Sequence, residues 1–208
     1  PKLRKINQQD ALMQAYRLYT LALAKAPELG AMNRMREIKQ LAPKVKWRLA
    51  AAYALIGKRS VADRLTKNLA YTVDAYTELA GTYGSGLRDE AMILEALTLM
   101  RKQKDAAKLW LEMSKKLGSQ SWYSTQTTAY SLMAIAKFVG DNNPAEPVEY
   151  RYQLAADGSP KTGNLKAVPI AQYGLNAEKT NKIKVENTGN NMLFARVIAS
   201  GKPLMGDD

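Results

Sequence analysis

Trp122-Tyr123-Ser124-Thr125-Gln126-Thr127-Thr128-Ala129-Tyr130 is the stretch that decides how this chain is read. It opens a helix running to about Val139, with Gly140 placed to stop it. Ser124 and Thr125 stand where a capping hydroxyl belongs, ready to accept from the free amides of the first turn. Ala129, Leu132, Met133, Ala136 and Val139 follow at helical spacing and predict the inward face. Trp122 and Tyr123 read as a packing plug at the helix mouth. Upstream, the sequence is helix after helix. Downstream, from about Pro144, it is short strands and turns.

Working back from that stretch, residues 8–25 carry Ala11, Leu12, Ala15, Leu18, Tyr19, Ala22 and Leu23 on one helical face. A shorter helix is predicted from Pro27, a suitable first helical residue, to Gln40, with Met32, Met35 and Ile38 inward. Pro43 restarts the pattern, and Val45, Leu49, Ala52, Tyr53 and Ile56 line a third helix that Gly57 ends. Ser60 opens a fourth, with Val61, Leu65 and Leu69. Residues 70–86 are dense in aromatic and β-branched types and read as a hairpin or extended loop, with turns at Gly81, Gly84 and Gly86. Helix resumes near Leu87, breaks at Gln103-Lys104-Asp105, and continues from Ala106 to Leu117 with Leu109, Trp110 and Met113 inward. The methionines at 32, 35, 92, 100, 113 and 133 read as core fillers. Short connections between paired helices give an αα-hairpin rhythm.

Working forward, Asp141-Asn142-Asn143-Pro144 marks a boundary. Val148 to Leu154 alternates with period two, as a half-buried strand does. Asp157-Gly158 is a turn, and Asn164–Ile170 and Asn181–Val185 read as further strands. Asn187-Thr188-Gly189-Asn190-Asn191 is a turn before a strand from Met192 to Ala199. The expected fold class is therefore α+β: a helical domain over 1–143, then a small antiparallel β-sandwich portion over 144–208.

Composition narrows the chemistry. The 208 residues include no cysteine and no histidine. That removes disulfides, thiolate nucleophiles, zinc–thiolate sites and the side chain best suited to proton transfer near neutral pH. Ser, Thr, Tyr, Lys, Asp and Glu remain, so the reading is a non-enzyme with no metal or cofactor. The net charge of +12 comes from cations spread along the whole chain, without a nucleic-acid motif, and nucleic acid is not an expected partner. No apolar run of about 18 residues predicts a membrane span. The chain begins at Pro1 rather than Met, which predicts a piece of something longer.

Three segments, in this order, resemble the α2-macroglobulin family, specifically its bacterial branch. Ala15-Tyr16-Arg17-Leu18-Tyr19, followed by Leu29-Gly30-Ala31-Met32-Asn33-Arg34, is similar to the family's pairing of an A-Y-x-L helix with a G-A-M-N-R turn. Tyr83-Gly84-Ser85-Gly86-Leu87-Arg88-Asp89-Glu90-Ala91 resembles its Y-G-S-x-x-R-D-x-A segment. Trp122 to Tyr130 is similar to its W-x-S-T-Q-D-T-A-Y stretch, with Thr127 in place of the Asp. The resemblance implies the C-terminal part of a thioester-type α/α toroid domain and an adjoining CUB-like β domain. It also implies a periplasmic or cell-envelope location and a protease trap in bacterial defence, an endopeptidase inhibitor. Its partners would be other domains of the parent chain and the trapped proteases. The family's C-x-E-Q thioester segment has no counterpart here, because there is no cysteine. It is expected upstream of Pro1, or lost.

The motif positions Trp122, Tyr123, Ser124, Thr125, Gln126, Arg88 and Asp89 are read as structural. Ser124 or Thr125 caps a helix, and Arg88 and Asp89 form an ion pair at a helix start, where Asp89 complements the dipole. Two alternatives stand beside the trap. One is a helical-repeat scaffold of the tetratricopeptide type, prompted by Lys46 to Tyr53 and the paired helices, although no constant 34-residue period is present. The other is a glycan-active α/α toroid enzyme using Glu90 and Glu95, or Asp63 and Asp74, as paired carboxylates.

Overall fold

The computed structural model of the chain describes residues 8–79, 83–119, 121–140, 146–155, 158–166, 170–176 and 182–198. The chain divides into two compact units, residues 1–141 and 142–208. Seven helices and one sheet make up the described structure, so the fold is α+β and dominated by helix.

The helical unit comprises α1 (Gln8–Leu23), α2 (Leu29–Arg36), α3 (Pro43–Leu55), α4 (Arg59–Thr66), α5 (Gly86–Leu99), α6 (Gln103–Leu117) and α7 (Thr125–Val139). α1 packs on α3, α3 on α5 and α5 on α7, while α4 leans on α3 and α6 on α5. The odd-numbered helices thus form a continuous inner row, flanked by the even-numbered ones. The row curves, because the ring of Tyr16 on α1 meets the ring of Tyr130 on α7 edge to face, centroids 6.2 Å apart.

Burial follows from that layering. α3 and α5, in the middle of the row, are buried on nearly all sides. A helix covered all round is expected to be apolar all round. α3 complies through Val45, Trp47, Leu49, Tyr53 and four alanines, yet it also carries a fully buried Arg48. α1 buries the predicted face of Ala11, Leu12, Ala15, Leu18, Tyr19 and Ala22, but leaves Leu23 exposed.

Several boundaries differ from the sequence reading. α2 starts after Glu28 rather than at Pro27, and it ends at Arg36. α4 is entered from Lys58 and begins at Arg59, one residue ahead of Ser60. Gln103-Lys104-Asp105 is not a break but the first turn of α6. The break is instead the left-handed Arg101, at φ 59°. The described residues between α4 and α5, 70–79 and 83–85, are extended and carry one bridge between Thr77 and Ser85. Gly81 lies outside the described residues.

The largest correction concerns α7. Its buried residues are Thr127, Ser131, Ala134 and Phe138. Leu132 and Met133, assigned to the core from spacing, are 58% and 68% exposed. Both stripes have helical period. The stripe facing α5 won because its small hydroxyl side chains bring the two helices close and are satisfied there. Ser131 Oγ donates to the Thr127 carbonyl at 2.8 Å.

The second unit contains one three-stranded antiparallel sheet in the order β2-β1-β3: β1 (Val148–Gln153), β2 (Lys161–Leu165) and β3 (Lys184–Asn187). Tyr150 pairs with Gly163 on one side and Asn187 on the other. A Cβ at position 163 would fall 2.5 Å from the Tyr150 ring, so the phenol lies over the bare glycine. Tyr173 stacks on Tyr152 at 4.3 Å and shares a 2.8 Å hydrogen bond with the Tyr150 hydroxyl. β2 begins before the predicted 164–170, and β3 is displaced from 181–185. Residues 192–198 form no strand, and Ala199 lies outside the described residues. No second sheet faces the first among the described residues, so the expected sandwich is a single sheet there. The 187–191 turn is present, with Asn187 accepting from the Gly189 amide and donating to the Asn191 carbonyl. The 141–145 boundary and Asp157 lie outside the described residues.

Two glycines in the helical unit separate steric need from mere composition. A Cβ at Gly86 would sit 2.6 Å from the Asp74 carbonyl oxygen, which is backbone and cannot swing away. A Cβ at Gly30 would meet nothing closer than the Arg34 guanidinium at 3.5 Å. Gly86→Ala is therefore expected to destabilise the chain by about 1–3 kcal/mol through overpacking. Gly30→Ala should stabilise it by up to about 1 kcal/mol through the unfolded state. Urea unfolding of the two variants checks both signs.

Candidate functional site

Two polar centres are built where the inner helices converge. The first joins the mouths of α5 and α7. Ser85 caps α5, its Oγ accepting from the Arg88 amide at 3.1 Å. Ser124 caps α7, its Oγ accepting from the Thr127 amide at 3.2 Å. The Thr127 hydroxyl lies 2.7 Å from Ser85 Oγ and 3.0 Å from Ser124 Oγ. One buried side chain thus ties both caps together, and with them the N-terminal ends of two helices.

Arg88 and Asp89 follow directly on that mouth. The Arg88 guanidinium donates to Asp89 Oδ1 at 2.9 Å, and both side chains are buried. The Tyr76 hydroxyl donates to Asp89 Oδ2 at 2.5 Å, while Lys44 lies 3.9 Å from the same oxygen and 4.0 Å from Glu78. Burial, with the hydrogen bond to Asp89, pushes the Tyr76 phenol well above its ordinary range, so it stays a donor. The loop before α5 is pinned by this network. Val73 N–H donates to Glu90, and Gly84 N–H donates to Glu78. The predicted pairing of Arg88 with Asp89 is part of a larger structural cluster.

The remaining motif residues separate. Ser124, not Thr125, is the cap, and Thr125 and Gln126 lie exposed on the first turn. Tyr123 is half-buried, and its hydroxyl donates to the Lys116 carbonyl at 3.1 Å, fixing the approach of the chain from α6. Trp122 is 86% exposed and plugs nothing. The expected plug at the helix mouth is therefore left to Tyr123 alone, and the indole stands in solvent.

The second centre lies on the concave side of the inner row, and sequence reading missed it. All four inner helices contribute: Tyr16 and Tyr19 from α1, Arg48 from α3, Glu95 from α5, Tyr130 and Lys137 from α7. Arg48 Nη1 donates to Glu95 Oε2 at 2.8 Å. Tyr19 and Lys137 donate to Glu95 Oε1 at 2.5 and 3.1 Å. The Arg48 guanidinium lies against the rings of both Tyr16 and Tyr19, 4.5 and 4.4 Å from their centroids, and the two rings meet each other edge to face. Its Nε and Nη2 are buried and find no oxygen. The two ring faces supply the negative potential instead. The Tyr16 hydroxyl donates to that of Tyr130 and closes the ring of contacts.

Protonation follows from these surroundings. Burial raises both Tyr16 and Tyr19 far above the ordinary phenol range, and the Glu95 carboxylate adds to the effect at Tyr19. At Glu95 burial pushes upward, but Arg48, Tyr19 and Lys137 outweigh it and hold the carboxyl below its ordinary 4.5. A faint signal was present in the sequence: an arginine within the alanine-rich face of α3. An arginine in a helix buried all round requires a carboxylate partner.

The glycosidase arrangement fails on geometry. Such enzymes set two carboxyl groups across one cleft. Glu90 is fully buried and takes both its oxygens to Lys116 at 2.7 Å. Glu95, five residues along the same helix, belongs to the Arg48 centre. Asp63 pairs with Lys102 at 2.8 Å, and Asp74 is exposed. Among the described residues, no group of acidic side chains is arranged to hold a metal ion, and no helix is long and apolar enough to cross a membrane.

The chain is similar in fold to part of Escherichia coli alpha-2-macroglobulin. The native conformation of that protein matches 88% of this chain with a TM-score of 0.52 and 18% identity. A crystal structure of its portion from domain MG7 to the C-terminus also matches 88%, with a TM-score of 0.50 and 21% identity. This chain spans 11% of the first structure's chain and 28% of the second's. At such identity the likeness is one of fold. No protein-family model and no curated protein sequence matches the chain.

Two variants probe the centres. Glu95→Gln leaves the Arg48 charge without its counter-ion and should cost about 3 kcal/mol at pH 7. The wild-type carboxyl is held below its unfolded value, so its contribution is complete above about pH 4.5 and fades as pH falls through the lower folded value. Urea midpoints taken from pH 7 down to pH 3 should accordingly show the gap between wild type and Glu95→Gln closing on the acid side. Thr127→Val removes the shared hydroxyl and should cost about 1–2 kcal/mol. Thr125→Ala, on the exposed first turn, should stay within about 0.5 kcal/mol.

Proposed function

We propose that this chain is part of a bacterial α2-macroglobulin-like protease trap: the C-terminal portion of its thioester-type α/α toroid domain, followed by part of the adjoining CUB-like β domain. The observation that carries this is the fold likeness to E. coli alpha-2-macroglobulin, which extends over both units. The order of the three sequence segments supports it. The segments beginning at Tyr83 and Trp122 supply the two linked helix mouths, and the segment beginning at Ala15 supplies both tyrosines that hold Arg48.

On this reading the chain performs no catalysis. The buried carboxylates of Glu90 and Glu95 are engaged in ion pairs that tie α5 to α6 and to α3 and α7. It acts as a rigid wall of a larger molecule, whose bait cleavage and rearrangement expose a thioester borne by a C-x-E-Q segment elsewhere in the parent. The partners are the other domains of that parent and the proteases it captures, and the location is the periplasm or cell envelope.

The full-length parent decides the matter. Treated with a protease, it should change electrophoretic mobility and retain the protease. Treated with methylamine, it should incorporate the amine at one glutamine-derived carbonyl. Trapping without incorporation would identify a member that lacks the thioester. Neither incorporation nor a protease-induced mobility change would overturn the proposal. The 208-residue chain alone should hydrolyse no glycan, and turnover abolished by Glu90→Gln or Glu95→Gln would establish an enzyme instead.

A further inference from the structure

One cleft in the helical unit belongs to neither polar centre. It has a volume of about 510 Å³ and opens between the end of α4, the irregular segment after it and the start of α6. Its lining combines Trp47, Leu69 and Tyr71 with Arg64, Lys67 and Lys102. Trp47 is fixed: its ring packs against Tyr71 at 6.2 Å and its indole N–H donates to the Ala70 carbonyl at 3.2 Å. Trp47 is itself buried, so it supports Tyr71 from beneath and fixes the aromatic surface that the cleft presents.

The charges around it are unequal. Lys102 is matched by Asp63 at 2.8 Å. Arg64 and Lys67 are exposed and form no ion pair among the described residues. Two uncompensated cations thus stand beside the apolar surface of Tyr71 and Leu69, with Thr66 and Asn68 completing the lining. A cleft of this size accommodates one or two side chains rather than a duplex. Its concavity suits an extended segment better than a flat lipid surface. Asp63 at the rim repels a continuous phosphate backbone but can accept a peptide N–H.

We infer that this cleft is a docking site for an acidic peptide segment. Its carboxylates engage Arg64 and Lys67, and an apolar side chain between them packs on Tyr71 and Leu69. The occupant is an acidic stretch of a protein partner. The inference stands apart from the protease-trap reading, because it rests only on the cleft.

The test uses the whole 208-residue chain and a 12-residue peptide of alternating Glu and Phe, with a Gln-for-Glu counterpart. Titration followed through the Trp47 indole N–H resonance should show saturable binding of the acidic peptide. Affinity should fall about tenfold for the Gln peptide and for the charge reversals Arg64→Glu or Lys67→Glu. Tyr71→Ser should weaken binding without altering its salt dependence. Lys161→Glu with Lys184→Glu, in the sheet unit, should leave affinity unchanged. The inference is overturned if those two sheet substitutions weaken binding as much, since attraction would then be to net charge alone. It is also overturned if the Trp47 resonance does not move. Tighter competition at Arg64 and Lys67 by polyuridylate or by phosphatidylglycerol vesicles would likewise reject the peptide as occupant.

Discussion

A charged side chain with no access to water sits at the centre of this fold. Arg48 projects from a helix buried nearly all round, and its charge is met within a few ångströms or not at all. Glu95 supplies the counter-charge, and two tyrosine rings lie against the guanidinium. Those partners come from α5 and α1, and α7 adds Lys137 and Tyr130. Satisfying one arginine therefore sets the rotation of four helices relative to one another. Apolar packing could hold these helices together in several registers. The directional partners of Arg48 allow one.

The same logic recurs at the helix mouths on a smaller scale. A helix start leaves amide donors unpaired, and each of two neighbouring helices meets that need with a serine. Thr127 then links the two serines, so the caps fix the end-to-end alignment of α5 and α7 as well as terminating them. Arg88 and Asp89 extend the cluster towards Tyr76 and Lys44 and pin the loop that enters α5. Residues that a search for chemistry would select, serine, threonine, arginine and aspartate in one cluster, are consumed in organising backbone ends. Together with the engaged carboxylates of Glu90 and Glu95, this leaves a scaffold whose reactive-looking groups are already partnered.

The contrast with α7's outer side is informative. Its apolar residues Leu132 and Met133 face away from α5, and the buried stripe is made of Thr127, Ser131, Ala134 and Phe138. Hydrophobicity ranked the wrong stripe first because it weighs side chains by transfer energy. The helix instead docked by closeness of approach and by satisfaction of hydroxyls against its own backbone and the neighbouring cap. In the sheet unit the same principle operates through a bare glycine. Gly163 admits the Tyr150 ring, and that ring holds the Tyr173 hydroxyl.

The sequence by itself determined the α+β class, the succession of helices, the extended residues before α5, Ser124 or its neighbour as a cap and β1 almost to the residue. These are local outcomes. Helical periodicity, capping chemistry and two-residue alternation act over a few positions and can be read off them. It also carried the resemblance that the fold comparison met at the level of architecture. Tertiary structure decided what depends on partners distant in the chain. Arg48 and Glu95 are 47 residues apart, and Tyr16 and Tyr130 are 114 apart. No local pattern announces that such side chains will meet. It was likewise the tertiary structure that exposed Trp122, turned α7 over and reduced the expected strands to three among the described residues. Burial is a property of what covers a residue, and the residue's own neighbours in sequence do not encode it.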